Sequence, residues 1–188
     1  MDRTWLVLAL IGVLTAAWYL SFSASRLDRL HHRVEGARAS LDAQLVRRAE
    51  ASVELATSGL LDPATGLLVA GAASDALAAG EAESTPDGAG TAERETAESD
   101  LSHALDQALV AETVAVARGS ELGDQLLDRL ESAGHRVQLG RRFHNQAVTD
   151  AQRVRRKRVV RWFRLAGRAA MPQTFEMDDK LPEALSRH

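Results

Sequence analysis

Thr4 to Ser25 read TWLVLALIGVLTAAWYLSFSAS, the longest uncharged apolar run in the chain. About 20 such residues, rising 1.5 Å each, match the roughly 30 Å hydrocarbon core of a bilayer. No water is present there, so the backbone polar groups must pair within the segment, and a single run can do that only as a helix. Trp5 stands at one end and Trp18, Tyr19 and Phe22 at the other, where amphipathic rings favour the headgroup level. These four are the anchor residues, and residues 1–25 are the membrane anchor. Gly12-x-x-x-Ala16 is a small-residue pair along which two such helices could pack, so an oligomer is one arrangement open to the chain.

A secretory signal also begins with an apolar stretch, and Ser23-Ala24-Ser25 offers small residues for cleavage. The n-region is only Met1-Asp2-Arg3, and the run exceeds the ~7–15 apolar residues usual in such signals. A retained anchor is therefore expected, and an exported cell-envelope protein with a cleaved or inverted anchor is the alternative. No cysteine follows the run, which excludes a lipoprotein anchor. Arg26, Arg29, Arg33 and Arg38 follow the span, against Arg3 before it. Excess Lys and Arg stay cytoplasmic, so the expected placement is a plasma membrane, with a short N-terminus outside and the long C-terminal part inside.

The remainder is polar and segregated in charge. From Leu61 to Glu112 there are eleven acidic residues against Arg94 alone, while Ala151 to Arg168 holds eight basic residues and no acidic one. Zero cysteine removes disulfides, thiolate metal sites and cysteine nucleophiles together. Aromatics make up 4 %, so a core must come mainly from Leu, Val and Ala, which suits closely packed helices.

Leu27, Leu30, Val34, Ala37, Leu41 and Gln44/Leu45 recur at spacings of three and four, predicting a helix from Arg26 to about Ser58 continuous with the anchor. Gly59 and the turn Asp62-Pro63 end it. Pro63 to Gly80 predicts a shorter Ala-rich helix packing through Leu67, Leu68, Ala72 and Leu77. Residues 80–99 lack any large apolar side chain and read as a flexible acidic linker. Ser99 then caps a third helix bearing Leu101, Leu105, Ala108/Leu109 and Thr113 or Val116. From Ser120, Leu122, Leu126, Leu130, Ala133, Val137, Gly140, His144, Ala147, Ala151 and Val154 mark a long fourth helix, with Gly134 and Gly140 as weak points. Such stripes must be buried against one another. The fold class is therefore all-α: an N-terminal transmembrane helix followed by an antiparallel helical bundle with long first and last helices. The bundle occupies residues 26–168, and residues 169–188 form an irregular tail.

The most pointed surface feature is RVRRKRVVRWFRLAGR, Arg153 to Arg168. Arg153, Arg155, Arg156, Lys157, Arg158, Arg161, Arg164 and Arg168, with Trp162 and Phe163, suit a bilayer surface carrying anionic headgroups, each cation contributing about 1 kcal/mol there. Nucleic acid is the weaker alternative, because the anchor already places the chain at a membrane; a solvated helix end is the bland one. His31-His32 beside Asp28 and Glu35 reads as exposed helix charge rather than a metal site, and His144 lies on the buried stripe. No Ser-His-Asp ordering, nucleophile elbow, phosphate loop or cofactor fingerprint is present, and the chain is read as non-enzymatic, with no cofactor.

Arg136 to Val148, RVQLGRRFHNQAV, resembles the signature Arg-(Ile/Val)-x-x-x-Arg-x-(Phe/Tyr)-(Tyr/His)-Asn-x-x-(Val/Ala) of the LemA family of bacterial membrane proteins. In RVEGARASLDAQLVRR, residues Val34, Ala37, Leu41, Asp42, Leu45, Arg47 and Arg48 are in step with that family's first helix, and Pro172-x-x-Phe175-Glu176 is similar to its closing motif. The chain departs from the family after the paired Arg, where Pro and Asn are missing, and in the acidic stretch and the basic run around Arg155 to Arg158. The resemblance implies one anchor with its short N-terminus outside, an antiparallel α-bundle and no settled biochemical activity. Protein partners are expected but not identified by it.

Overall fold

The computed structural model describes residues 3–83, 91–156 and 171–185. Every regular element among them is an α-helix: α1 (Arg3–Thr57), α2 (Pro63–Glu83), α3 (Thr91–Ala108), α4 (Ala111–Ala117) and α5 (Glu121–Arg155). The N-terminal part of α1 is long and apolar enough to cross a membrane, with an 18-residue window of mean hydropathy 2.0 and none of it buried.

Contacts divide the chain into two compact units. The first comprises Met1–Ala37 with Asn145–Thr174. Within it Leu27 packs on Val154 with Leu30 alongside. Arg33 approaches Asp150 at 3.8 Å, and Gln152 Nε2 donates to the Pro172 carbonyl at 2.9 Å.

The second unit comprises Arg38–His144 with Phe175–His188 and holds most of the core. One cluster joins Leu55, Val69, Leu101, Leu105, Leu127 and Leu130 among others, and a smaller one gathers Leu41, Leu45, Val137, Phe175 and Met177. The predicted stripe of the last helix is buried at Leu126, Leu130, Ala133, Val137 and His144, whereas Leu122 is exposed.

Local chemistry explains the helix ends. Gly59, at φ 79°, is the one positive-φ glycine among the described residues and takes the left-handed conformation that stops α1. Asp62 caps α2, its Oδ1 accepting from the Ala64 and Thr65 N–H groups at 3.1 Å, with Pro63 at the first helical position. Ser120 Oγ accepts the Gly123 N–H at 3.1 Å and caps α5.

Several expectations need correction. The stretch 80–99 is helical at both ends: α2 continues through Glu83 and α3 begins at Thr91, leaving 84–90 outside the described residues. Ser99 is thus inside α3, not at its cap. Composition misled there because Arg94 and Glu98 of α3 are buried and paired with residues of α1 and α2. The third helix is also broken at Leu109 and Val110, and Val114 and Ala117 are buried in place of Val116.

On α2 the buried face is Gly66, Val69, Ala73 and Ala76, while Leu67 and Leu68 point outward. A Cβ on Gly66 would lie 2.9 Å from the Ala56 carbonyl oxygen, so the small face allows the close approach that a leucine face would block. Gly134 likewise marks a crossing: a Cβ there would meet Leu181 Cδ2 at 2.2 Å. Of the tail, residues 171–182 have no regular structure, yet Phe175 and Leu185 are fully buried.

Candidate functional site

Large apolar side chains are driven inward by about 1.5–3 kcal/mol each. The N-terminal part of α1 does the opposite. Every described large apolar side chain from Trp5 to Phe22 is exposed, Trp5 and Trp18 at 70 %. Tyr19 and Phe22 share that surface, and the Trp18 and Phe22 rings stack with centroids 6.1 Å apart. An apolar surface this continuous is not a stable water interface.

Of the basic candidates, Arg153 and Arg156 are exposed and Arg155 is half-buried. Arg153 and Arg155 fall in the last turn of α5, where cations oppose the negative end of the helix dipole. Lys157, Arg158, Arg161, Trp162, Phe163, Arg164 and Arg168 lie outside the described residues.

The best-defined polar constellation is inside the second unit. The apolar stripe of α1 at Leu41 and Leu45 continues at the same spacing through Arg48, Ser52 and Leu55, so a guanidinium is carried into the core. Arg48 Nη2 donates to Glu98 Oε2 at 2.6 Å and to the Glu98 carbonyl at 2.9 Å, while Nη1 donates to Ser102 Oγ at 2.9 Å. Both charged side chains are at most 4 % exposed. Ser52 Oγ closes on the Arg48 carbonyl at 2.8 Å.

One end of α3 carries a second group. Arg94 Nη1 sits 2.7 Å from Glu83 Oε2 and 3.0 Å from Asp42 Oδ1. Arg38 bonds the same two carboxylates, 3.2 Å from Asp42, and its guanidinium lies 4.7 Å over the Phe175 ring. Two cations and two carboxylates thus join α1, α2 and α3. Burial disfavours the Glu83 carboxylate, but hydrogen bonds from Arg94 and Thr91 and the charges of Arg38 and Arg94 outweigh that and hold its pKa below the ordinary value of 4.5.

The lowered pKa makes this joint acid-sensitive. Its stabilisation is complete above pH 4.5 and lost as pH falls through the lower folded value. Urea unfolding is therefore expected to shift to lower denaturant on acidification, and Glu83→Gln to flatten part of that shift. Identical acid dependence of the two proteins would contradict the assignment.

The tail is strapped to this network. Ser102 Oγ donates to the Asp178 carbonyl at 2.6 Å, Ser99 Oγ accepts the Asp178 N–H at 3.1 Å, and Glu95 accepts the Glu176 N–H at 2.7 Å. From α5, Arg141 Nε reaches Asp179 at 2.7 Å and Gln138 donates to the Asp179 carbonyl. A backbone hydrogen bond from Lys180 is the main cause of a lowered Asp178 pKa, burial opposing it and His103 assisting.

Sequence reasoning missed the Arg48–Glu98 pair and the Arg38–Asp42–Glu83–Arg94 group. Extending the α1 stripe past Leu45 would have placed Arg48 and Ser52 on the buried face. Nothing in the acidic stretch by itself signals that Arg94 and Glu98 turn inward.

His32 lies 3.2 Å from Glu35 and 3.8 Å from Asp28, all exposed. Among the described residues no group of three or more His, Asp or Glu side chains is arranged to hold a metal. No protein-family model, curated protein or solved structure matches the chain.

Proposed function

We propose that this chain is a LemA-like single-pass membrane protein whose helices form an antiparallel bundle, acting without catalysis as a scaffold or interaction module at the membrane. The observation that carries the reading is the exposure of every described large apolar side chain from Trp5 to Phe22, which only a lipid or a partner surface can satisfy. An antiparallel arrangement is supported within each unit: Leu27 meets Val154 and Arg33 approaches Asp150 in one, while in the other Leu41 lies against Gly140 and Glu54 pairs with Arg129. Positions rise along α1 as they fall along α5.

The residues that carry the LemA resemblance also carry structural weight. Asp42 and Arg48 hold α1 to α3, Arg141 holds the tail, and Phe175 fills the smaller core. The charges of Asp42, Arg48 and Arg141 are spent on Arg94, Glu98 and Asp179, as expected of a framework rather than of reactive groups. The post-anchor arginines support a cytoplasmic bundle, and the exposed Arg153 and Arg156 suit anionic headgroups.

Sidedness is tested by protease treatment of intact cells expressing a C-terminal tag. The tag is expected to survive until the cells are opened. Degradation from outside would contradict the orientation and favour the cell-envelope alternative.

A further inference from the structure

The outward turn of Leu67 and Leu68 leaves an apolar strip on α2 that the fold does not use; the two are 76 % and 51 % exposed. They open a groove of about 680 Å³ between α2 and α3, lined also by the small residues Gly71, Ala72, Ala97 and Ala104. Small residues there let a helix backbone come close, and an apolar strip flanked by charge is how a groove receives an amphipathic helix.

The rim names the charge of the occupant. Asp75 stands on the α2 side, Glu93 and Asp100 on the α3 side, all exposed. The only Lys or Arg in either helix, Arg94, is 4 % exposed and occupied by Glu83 and Asp42. The groove thus combines apolar and small side chains with Thr96, His103 and Gln107, His103 lying 3.4 Å from Asp178, and carries three carboxylates without a competing exposed Lys or Arg. Lipid phosphates and nucleic acid would meet like charge there. We propose that this groove binds a cationic amphipathic helix of a protein partner. The proposal rests on the interaction role given above and names the class of partner.

The full-length protein in zwitterionic phosphatidylcholine nanodiscs is titrated with two fluorescent Lys/Leu peptides of roughly 16 residues and equal composition. One spaces its leucines on a single helical face and the other scrambles them; empty nanodiscs correct for lipid binding. The amphipathic peptide is expected to bind about tenfold more tightly than the scrambled one. The affinity should fall as salt rises from about 50 to about 300 mM, which shortens the screening length. In Leu67→Ser/Leu68→Ser, two exposed positions whose change is expected to leave the circular dichroism intact, the preference should disappear. Equal binding of the two peptides overturns the proposal, as does a preference that survives the double substitution. A groove closed by a second copy, seen as a dimer that the double substitution dissociates while no peptide binds, overturns it too. Failure of the chain to enter nanodiscs at all would count against the membrane reading instead, so the two failures are separable.

Discussion

Arg48→Ala is expected to lower folding stability by about 3–5 kcal/mol, because it strands the Glu98 carboxylate in the core without its cation. The cost comes from the partner left behind more than from the bond removed. Glu98 is 1 % exposed, and the Arg48 guanidinium gives it both a charge and a hydrogen bond. Ser102 would lose its donor as well, loosening its own bond to the Asp178 carbonyl. Replacing both partners by apolar side chains, as in Arg48→Met/Glu98→Leu, should recover most of the loss, since no charge is then buried unpaired. Urea unfolding of the three proteins measures this. A single variant within about 1 kcal/mol of the parent would contradict the burial of the pair.

Phe175→Ala should cost a similar amount, about 3–5 kcal/mol for an aromatic ring removed from a closed core. The ring is 0 % exposed between Leu41, Leu45, Val137 and Met177, and Arg38 lies across its face. A residue without regular secondary structure would ordinarily be a poor candidate for so large an effect. Here it is the apolar pin of a strap whose polar bonds come from Ser99, Ser102, Gln138 and Arg141, and removing the pin is expected to free them. Limited proteolysis should therefore release the tail after Thr174 in the variant well before α3 or α5 is cut. Equal protection of the tail in both proteins would show that the polar bonds suffice without the ring.

These two residues show what the chain discloses by pattern alone. Periodic large apolar positions were legible on the two long helices: Leu27, Leu41 and Leu45 on α1 and Leu126, Leu130 and Val137 on α5 are buried as their spacing requires, Leu122 at the start of α5 being the exception. Where burial uses small residues, the pattern points the wrong way. On α2 the hydrophobic weight lies with Leu67 and Leu68, yet packing selects Gly66, Val69, Ala73 and Ala76, because distance between backbones and not side-chain hydropathy decides that contact.

The acidic stretch failed for a different reason. Arg94 and Glu98 are unfavourable core residues until Asp42, Glu83 and Arg48 are beside them, and those partners sit on other helices. Composition cannot register a partner far away in sequence. The tail is legible only through its resemblance to a closing motif, which picked out Phe175 without indicating where it would dock.

The claim on which the rest depends is that a bilayer surrounds the side chains from Trp5 to Phe22. Alkaline carbonate extraction of membranes, with the full-length chain followed by mass, tests it directly. Intact chain retained in the membrane pellet is the predicted result; intact chain released to the supernatant would contradict it.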